Sequence, residues 1–187
     1  MLHAYNESGG MKTFMKSKTE KFAIDSMLAA MCAVLGYISL DFGNIKVTFE
    51  SLPILLGAFL LGPVDGLAIG GIGTLIYQLL RYGITVTTPL WMLPYMLCGL
   101  LVGYYAKKKE FKPTNRQIMI VVVLNELMIT ILNTGVIYVD SHIFGYYTPA
   151  YVLGSLAIRF VICILRAVVF GVLLPKLIDI LKKGKYV

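Results

Sequence analysis

Residues 52–80 read LPILLGAFLLGPVDGLAIGGIGTLIYQLL, and the fold turns on whether this run is one membrane-spanning helix or two. A span takes about 20 apolar residues, with a range near 17 to 25, so the run is too long for one ordinary span. It is also broken by Gly62-Pro63-Val64-Asp65-Gly66, turn chemistry that stops a helix. Four other runs qualify as spans: 22–40, 91–106, 118–138 and 150–181.

Charge decides between five spans and six. Nearly all of the 17 Lys and Arg residues fall within 12–21, 107–116 and 176–185. If 52–80 were a single span, the lysines at 107–109 and 182–185 would lie opposite the N-terminal ones. With a break at Gly62-Pro63, all three clusters share one side, and only Lys46 and Arg81 lie on the other. That is the distribution of the positive-inside rule, with both termini in the cytoplasm. The expectation is an all-α membrane protein of six transmembrane helices, near 20–40, 50–62, 64–81, 90–107, 115–138 and 149–183. They form a single domain over 16–187, behind a flexible segment at 1–15. The second helix is short: 52–61 covers about 15 Å at 1.5 Å per residue, so it begins earlier, tilts or leans on its neighbours.

Composition agrees. The chain has 187 residues, 58% hydrophobic and 14% charged, with a mean hydropathy of +0.78. Soluble domains carry about 25% charged residues. The net charge of +7 therefore marks a cytoplasmic face and is not a nucleic-acid footprint. The first twenty residues lack an apolar h-region, so no cleavable signal peptide is expected, and Met11 is a second possible start. Cys32, Cys98 and Cys163 lie in apolar runs without a Cys-x-x-Cys pair and read as small buried hydrophobes; His3 and His142 are far apart. Neither a metal nor a cofactor is expected.

The loops on the side opposite the basic clusters are the elaborate ones. Residues 44–50 alternate in polarity like a short extended segment, 81–89 is rich in Thr, and 140–149 holds Tyr146 and Tyr147 beside Gly145. Such loops suit capture of something from outside. Within the spans, Ala29, Ala33 and Gly36 form a small-residue stripe on the first helix; Gly66, Gly70 and Gly73 form one on the third, ending near Tyr77. Small stripes let helix backbones approach closely in lipid. The glycines read as internal packing; for the alanines, internal packing and partner docking both stand.

Ionisable groups within spans are costly and therefore functional candidates: Glu126 in the fifth helix, Arg159 and Arg166 in the sixth. Glu126 lies about 16 Å along its helix, near the midplane, and Arg166 lies at similar depth. A Glu126–Arg166 pair holding two helices together is one reading, while Arg159, nearer the outer face, is better placed to meet a ligand. Glu126, Thr130 and Asn133 share a face that either lines a pocket or bonds helices together. Tyr77, Tyr82, Trp91, Tyr95, Tyr138, Tyr146, Tyr147 and Tyr151 form an interfacial aromatic belt, from which Trp91 and a few tyrosines are placed to stack on a flat ligand. No phosphate loop, catalytic triad, selectivity filter or inverted repeat is evident.

With these features the chain resembles the S components of energy-coupling factor (ECF) transporters, the small substrate-capture subunits of bacterial vitamin importers. The resemblance rests on the Ala29/Ala33 pair, on Phe49-Glu50-Ser51-Leu52-Pro53-Ile54, and on Leu61-Gly62-Pro63 followed by Asp65-Gly66. The run Thr87-Thr88-Pro89-Leu90-Trp91-Met92-Leu93-Pro94-Tyr95 is similar to the folate subgroup. The resemblance implies a multi-pass protein of the bacterial plasma membrane, without enzymatic activity of its own. It would bind a vitamin near the outer face and dock through Ala29 and Ala33 onto a transmembrane coupling subunit driven by two cytoplasmic ATPases. For a folate, depth and chemistry nominate Trp91 or Tyr147 for stacking, Glu50 or Asn133 for the pterin edge, and Arg81 or Arg159 for acidic or carbonyl groups. Phe49, Tyr77, Thr88 and Tyr95 complete the expected site. The same fold for thiamine, riboflavin or pantothenate is the alternative, followed by a self-sufficient carrier or channel; a membrane enzyme ranks last.

Overall fold

In a computed structural model, residues 52–80 divide into two helices, α2 (Ser51–Leu60) and α3 (Pro63–Tyr82). Gly62 between them takes φ 113°, a value that favours glycine, and Pro63 opens α3 where a missing N–H costs nothing. The structure describes residues 18–42, 45–154 and 156–183. The expected flexible segment at 1–15 and the basic residue Lys185 lie outside them.

The remaining elements are α1 (Lys18–Tyr37), a hairpin of β1 (Leu40–Phe42) and β2 (Ile45–Val47), α4 (Thr88–Lys108), α5 (Asn115–Ile143), a short α6 (Pro149–Leu153) and α7 (Leu156–Lys183). Among the described residues the elements are helical apart from this antiparallel ribbon, Leu40 opposite Val47; β2 falls within the stretch 44–50 expected to be extended, while β1 precedes it. By length and composition, α3, α4, α5 and the run Pro149–Lys183 are able to cross a membrane. The helices alternate between two ends. The basic end carries the Lys21–Asp65 pair (2.7 Å) and the Lys182 Nζ bond to the Phe111 carbonyl (2.8 Å). The hairpin end carries the Arg81 bond to the Tyr37 carbonyl (3.0 Å).

The short α2 has a structural reason. Ser51, its first residue, meets Glu126 and Arg166, which lie near the middle of α5 and α7. The chain therefore descends from the hairpin into the bundle before α2 begins, and α2 fills only the half nearer the basic end. It is apolar on every side and buried on nearly every side, with Ile54, Leu55 and Ala58 fully enclosed by α1, α3, α4 and α7. A helix of that kind is a core element that need not span lipid itself. Above it, at the hairpin end, the other helices are left without a filler.

Two glycine contacts set the bundle's geometry. A Cβ on Gly66 would stand 2.6 Å from the Gly99 carbonyl, so α3 and α4 touch backbone to backbone. A Cβ on Gly73 would stand 2.6 Å from the Cys32 sulfur and 3.0 Å from the Ala29 carbonyl, so α1 closes on the other flank of α3. Close approach of this kind replaces the apolar driving force that lipid does not supply. Ala29 and Ala33 lie in that α1–α3 seam and are each 5% exposed. The alanine pair is thus spent on internal packing, and the face that α1 leaves open is the opposite one: Ala23, Met27, Ala30 and Val34.

Candidate functional site

The space above α2 is a cavity of about 510 Å³ walled by the hairpin-end halves of α3, α4, α5 and α7. Its interior is polar and aromatic: Glu50, Tyr77, Thr87, Tyr95 and Arg166 all line it and are all buried. Tyr82, Phe144 and Tyr146 line it too, yet are 48%, 53% and 41% exposed, which marks the opening.

At the floor, one network joins three helices. Arg166 Nη2 donates to Ser51 Oγ (2.6 Å) and pairs with Glu126 Oε2 (3.0 Å), while Ser51 Oγ donates to Glu126 Oε1 (2.9 Å). The Glu126–Arg166 pair read from the sequence is present, and the α2 hydroxyl completes it. The pair is buried, with Arg166 Nε left without a hydrogen bond, and removing one member leaves a bare charge. Arg166 also faces the cavity, so the pair is both a tie between α5 and α7 and part of the wall.

Among the described residues with a buried polar atom that lacks a hydrogen bond, three line this cavity outside the floor network. Glu50 stands at the N-cap of α2 but does not cap it; its Oε1 accepts from Thr48 Oγ1 (3.0 Å), and its Oε2 is buried without a hydrogen bond. Asn133 Nδ2 donates to the Tyr95 hydroxyl (3.4 Å), leaving Oδ1 buried and unbonded. Arg159 Nη1 is a buried donor without an acceptor. Buried polar groups are nearly always partnered, so these two open acceptors and one open donor, above the floor network on a single cavity, describe what a ligand would supply. That ligand offers N–H groups at one place and an acceptor or anion at another. Tyr77, Trp91, Tyr95 and Tyr151 provide aromatic walls between.

Of the residues nominated from the sequence, Glu50, Tyr77, Trp91, Tyr95, Asn133 and Arg159 all line this cavity. Four do not, each for a local reason. Phe49 turns its ring edge-on to Phe170 (6.2 Å) in the core. Arg81, at the end of α3, is taken by the Tyr37 carbonyl and Ser39 Oγ (2.6 Å), which tie it to the end of α1. Thr88 is buried in a hydroxyl cluster, accepting from the Thr85 amide (2.9 Å). Tyr147 packs on His142 (4.1 Å) and Tyr138 (5.5 Å). Thr48, Gln78, Asp140 and Arg166 also line it from outside the nominated set, and Tyr146 and Tyr151 come to it from the aromatic belt. Asp140 had a signal: Glu126, Thr130, Asn133, Ile137 and Asp140 continue one stripe at helical spacing, and α5 runs on to Ile143, past the expected end at 138.

Residues 20–179 match the family model described as "ECF transporter, substrate-specific component". No curated protein matches the chain. A solved structure of the S component of a bacterial ECF transporter is similar in fold, with a TM-score of 0.66 at 22% identity, covering 89% of this chain and 99% of that one. The chain belongs to the family of substrate-specific components of ECF transporters, which are membrane-embedded transport subunits and not enzymes.

Proposed function

We propose, from that membership, that this chain captures a folate-class vitamin from outside the cell for an ATP-driven importer. It lies in the bacterial plasma membrane as six spans with both termini cytoplasmic, so the hairpin end faces outward and the cavity opens to the exterior. The observation that carries the substrate reading is the trio of open polar groups on an aromatic-walled cavity. A pterin presents N–H donors along one edge, which suit Glu50 Oε2 and Asn133 Oδ1. Its flat faces suit Trp91 and the tyrosines, and the carboxylates of its glutamate tail suit Arg159. Charge-assisted contacts of this kind are each worth about 1.5–3 kcal/mol.

Transport requires partners: a transmembrane coupling subunit and two cytoplasmic ATPases, which hydrolyse the ATP. Docking through α1 falls to its open face, around Ala23, Met27, Ala30 and Val34, since Ala29 and Ala33 are occupied by α3.

One observation favours a second reading. With Glu126 behind the wall, the carboxylates of Glu50, Glu126 and Asp140 outnumber the guanidinium groups of Arg159 and Arg166. A flat cationic vitamin such as thiamine answers that excess. Titrating the purified chain with folic acid and with thiamine, followed through Trp91 fluorescence, separates the two. Saturable sub-micromolar binding of folic acid is expected; tight thiamine binding without it would reverse the assignment. A chain that accumulates solute alone in liposomes would instead be a self-sufficient carrier.

A further inference from the structure

Asp140 occupies a position that the folate reading leaves unused. It lies in the last turns of α5 and is buried, yet both carboxylate oxygens are engaged by other segments of the chain. Its Oδ1 accepts from Trp91 Nε1 at the start of α4 (3.3 Å), and its Oδ2 accepts from the Tyr146 hydroxyl in the turn after α5. The turn is built for this. Gly145 takes φ +74°, and the Tyr146 amide donates to the Ser141 carbonyl (3.0 Å), the reversed bond that closes a helix at a left-handed glycine. The chain is thereby folded back, and Tyr146 is returned onto the helix it has just left. Tyr146 then packs edge-on to Tyr151 of α6 (5.4 Å). Partial burial and the bond to Asp140 both push the Tyr146 phenol above its ordinary range, so it remains an O–H donor at neutral pH. Asp140, Trp91, Tyr146 and Tyr151 all line the cavity, and Tyr146 is among the exposed residues that mark its opening.

We propose that Asp140 is a positioning residue that clasps the cavity mouth, fixing the Trp91 indole and holding the 144–151 segment across the opening, and so sets how fast ligand enters and leaves. This rests on reading the cavity as the ligand site. Every bond of the clasp is made within the chain and lies at the opening, so its loosening widens the way in and the way out alike. Loosening it speeds both directions together, which a lost ligand contact does not do.

Two mild variants test this in the full chain in lipid nanodiscs. Tyr146→Phe removes one bond to Asp140 and keeps the ring. Gly145→Ala strains the turn, while the added methyl meets nothing within 4 Å. With folic acid as probe and stopped-flow Trp91 fluorescence as readout, association and dissociation rates both rise in Tyr146→Phe, by about tenfold, the scale of one hydrogen bond to a charged acceptor. Both rates rise in Gly145→Ala as well. A faster dissociation rate with unchanged association would make Tyr146 an ordinary ligand contact and overturn the clasp. Amide exchange over 144–154, measured without ligand, rises in both variants; unchanged exchange would also overturn it. Should the wild-type chain give no folic acid signal, the substrate reading fails, and the exchange measurement alone decides the clasp.

Discussion

Replacing Glu50 by Gln separates a ligand-binding carboxylate from a structural one, because the two roles predict changes of opposite sign. The side chain keeps its size, and its Oε1 position still accepts from Thr48 Oγ1. What changes is Oε2, which is buried and without a hydrogen bond in the chain. A buried charge lacking a full set of partners is a standing cost to folding, and among the described residues Glu50 has no ion pair as close as that of Glu126 with Arg166. Neutralising it should leave the thermal midpoint unchanged or higher. A ligand N–H that met the carboxylate now meets a neutral amide, losing a charge-assisted bond of about 1.5–3 kcal/mol, roughly 10- to 150-fold in Kd. Isothermal titration with folic acid and thermal unfolding of the same detergent-purified sample give both quantities. Affinity lost with stability kept is the expected pattern. Unaltered affinity with a fall in midpoint would show that Glu50 serves the fold, and would refute the reading of its open oxygen as a ligand acceptor.

Arg166→Leu strands Glu126 without its cation and should cost about 3–5 kcal/mol, read as a lower unfolding midpoint; a neutral effect would mean the pair is not closed as described. Ala33→Trp drives a large ring into the α1–α3 seam and should destabilise the isolated chain. Ala30→Trp, on the open face, should leave folding and vitamin binding intact while blocking complex formation with the coupling subunit. Complexes lost only with Ala33→Trp at unchanged stability would restore the alanine pair as the docking surface. Gly66→Val sets a branched side chain against the Gly99 carbonyl and should abolish correct folding, measured as loss of a monodisperse peak after purification.

The break between α2 and α3 was legible because Gly-Pro leaves the backbone little choice. The depth of α2 was not, since nothing local says that the chain descends before turning helical. The alanine stripe shows a general difficulty of membrane chains. Both faces of α1 are apolar, so small residues announce a close contact without saying whether it is made within the chain or beyond it. Arg81 does lie at the end away from the basic clusters, but the end of α1 offered a carbonyl and a hydroxyl, and these claimed the guanidinium. Arg159, in the first turn of α7, keeps its Nη1 buried without a hydrogen bond. Tyr146 and Tyr147 are adjacent and alike; only the left-handed turn at Gly145 sends the first to the cavity and the second to His142. Chemistry and depth therefore found six lining residues, while the misplaced four were decided by turns and neighbours that periodicity does not encode.

Mass spectrometry of the ligand that travels with the chain tests the central claim most directly. Purified in mild detergent from cells grown in rich medium and released by denaturation, the bound molecule should have the mass of a folate, in about one copy per chain. Recovery of thiamine or another vitamin in its place would contradict the folate assignment and give the acidic excess around Glu50, Glu126 and Asp140 the deciding role.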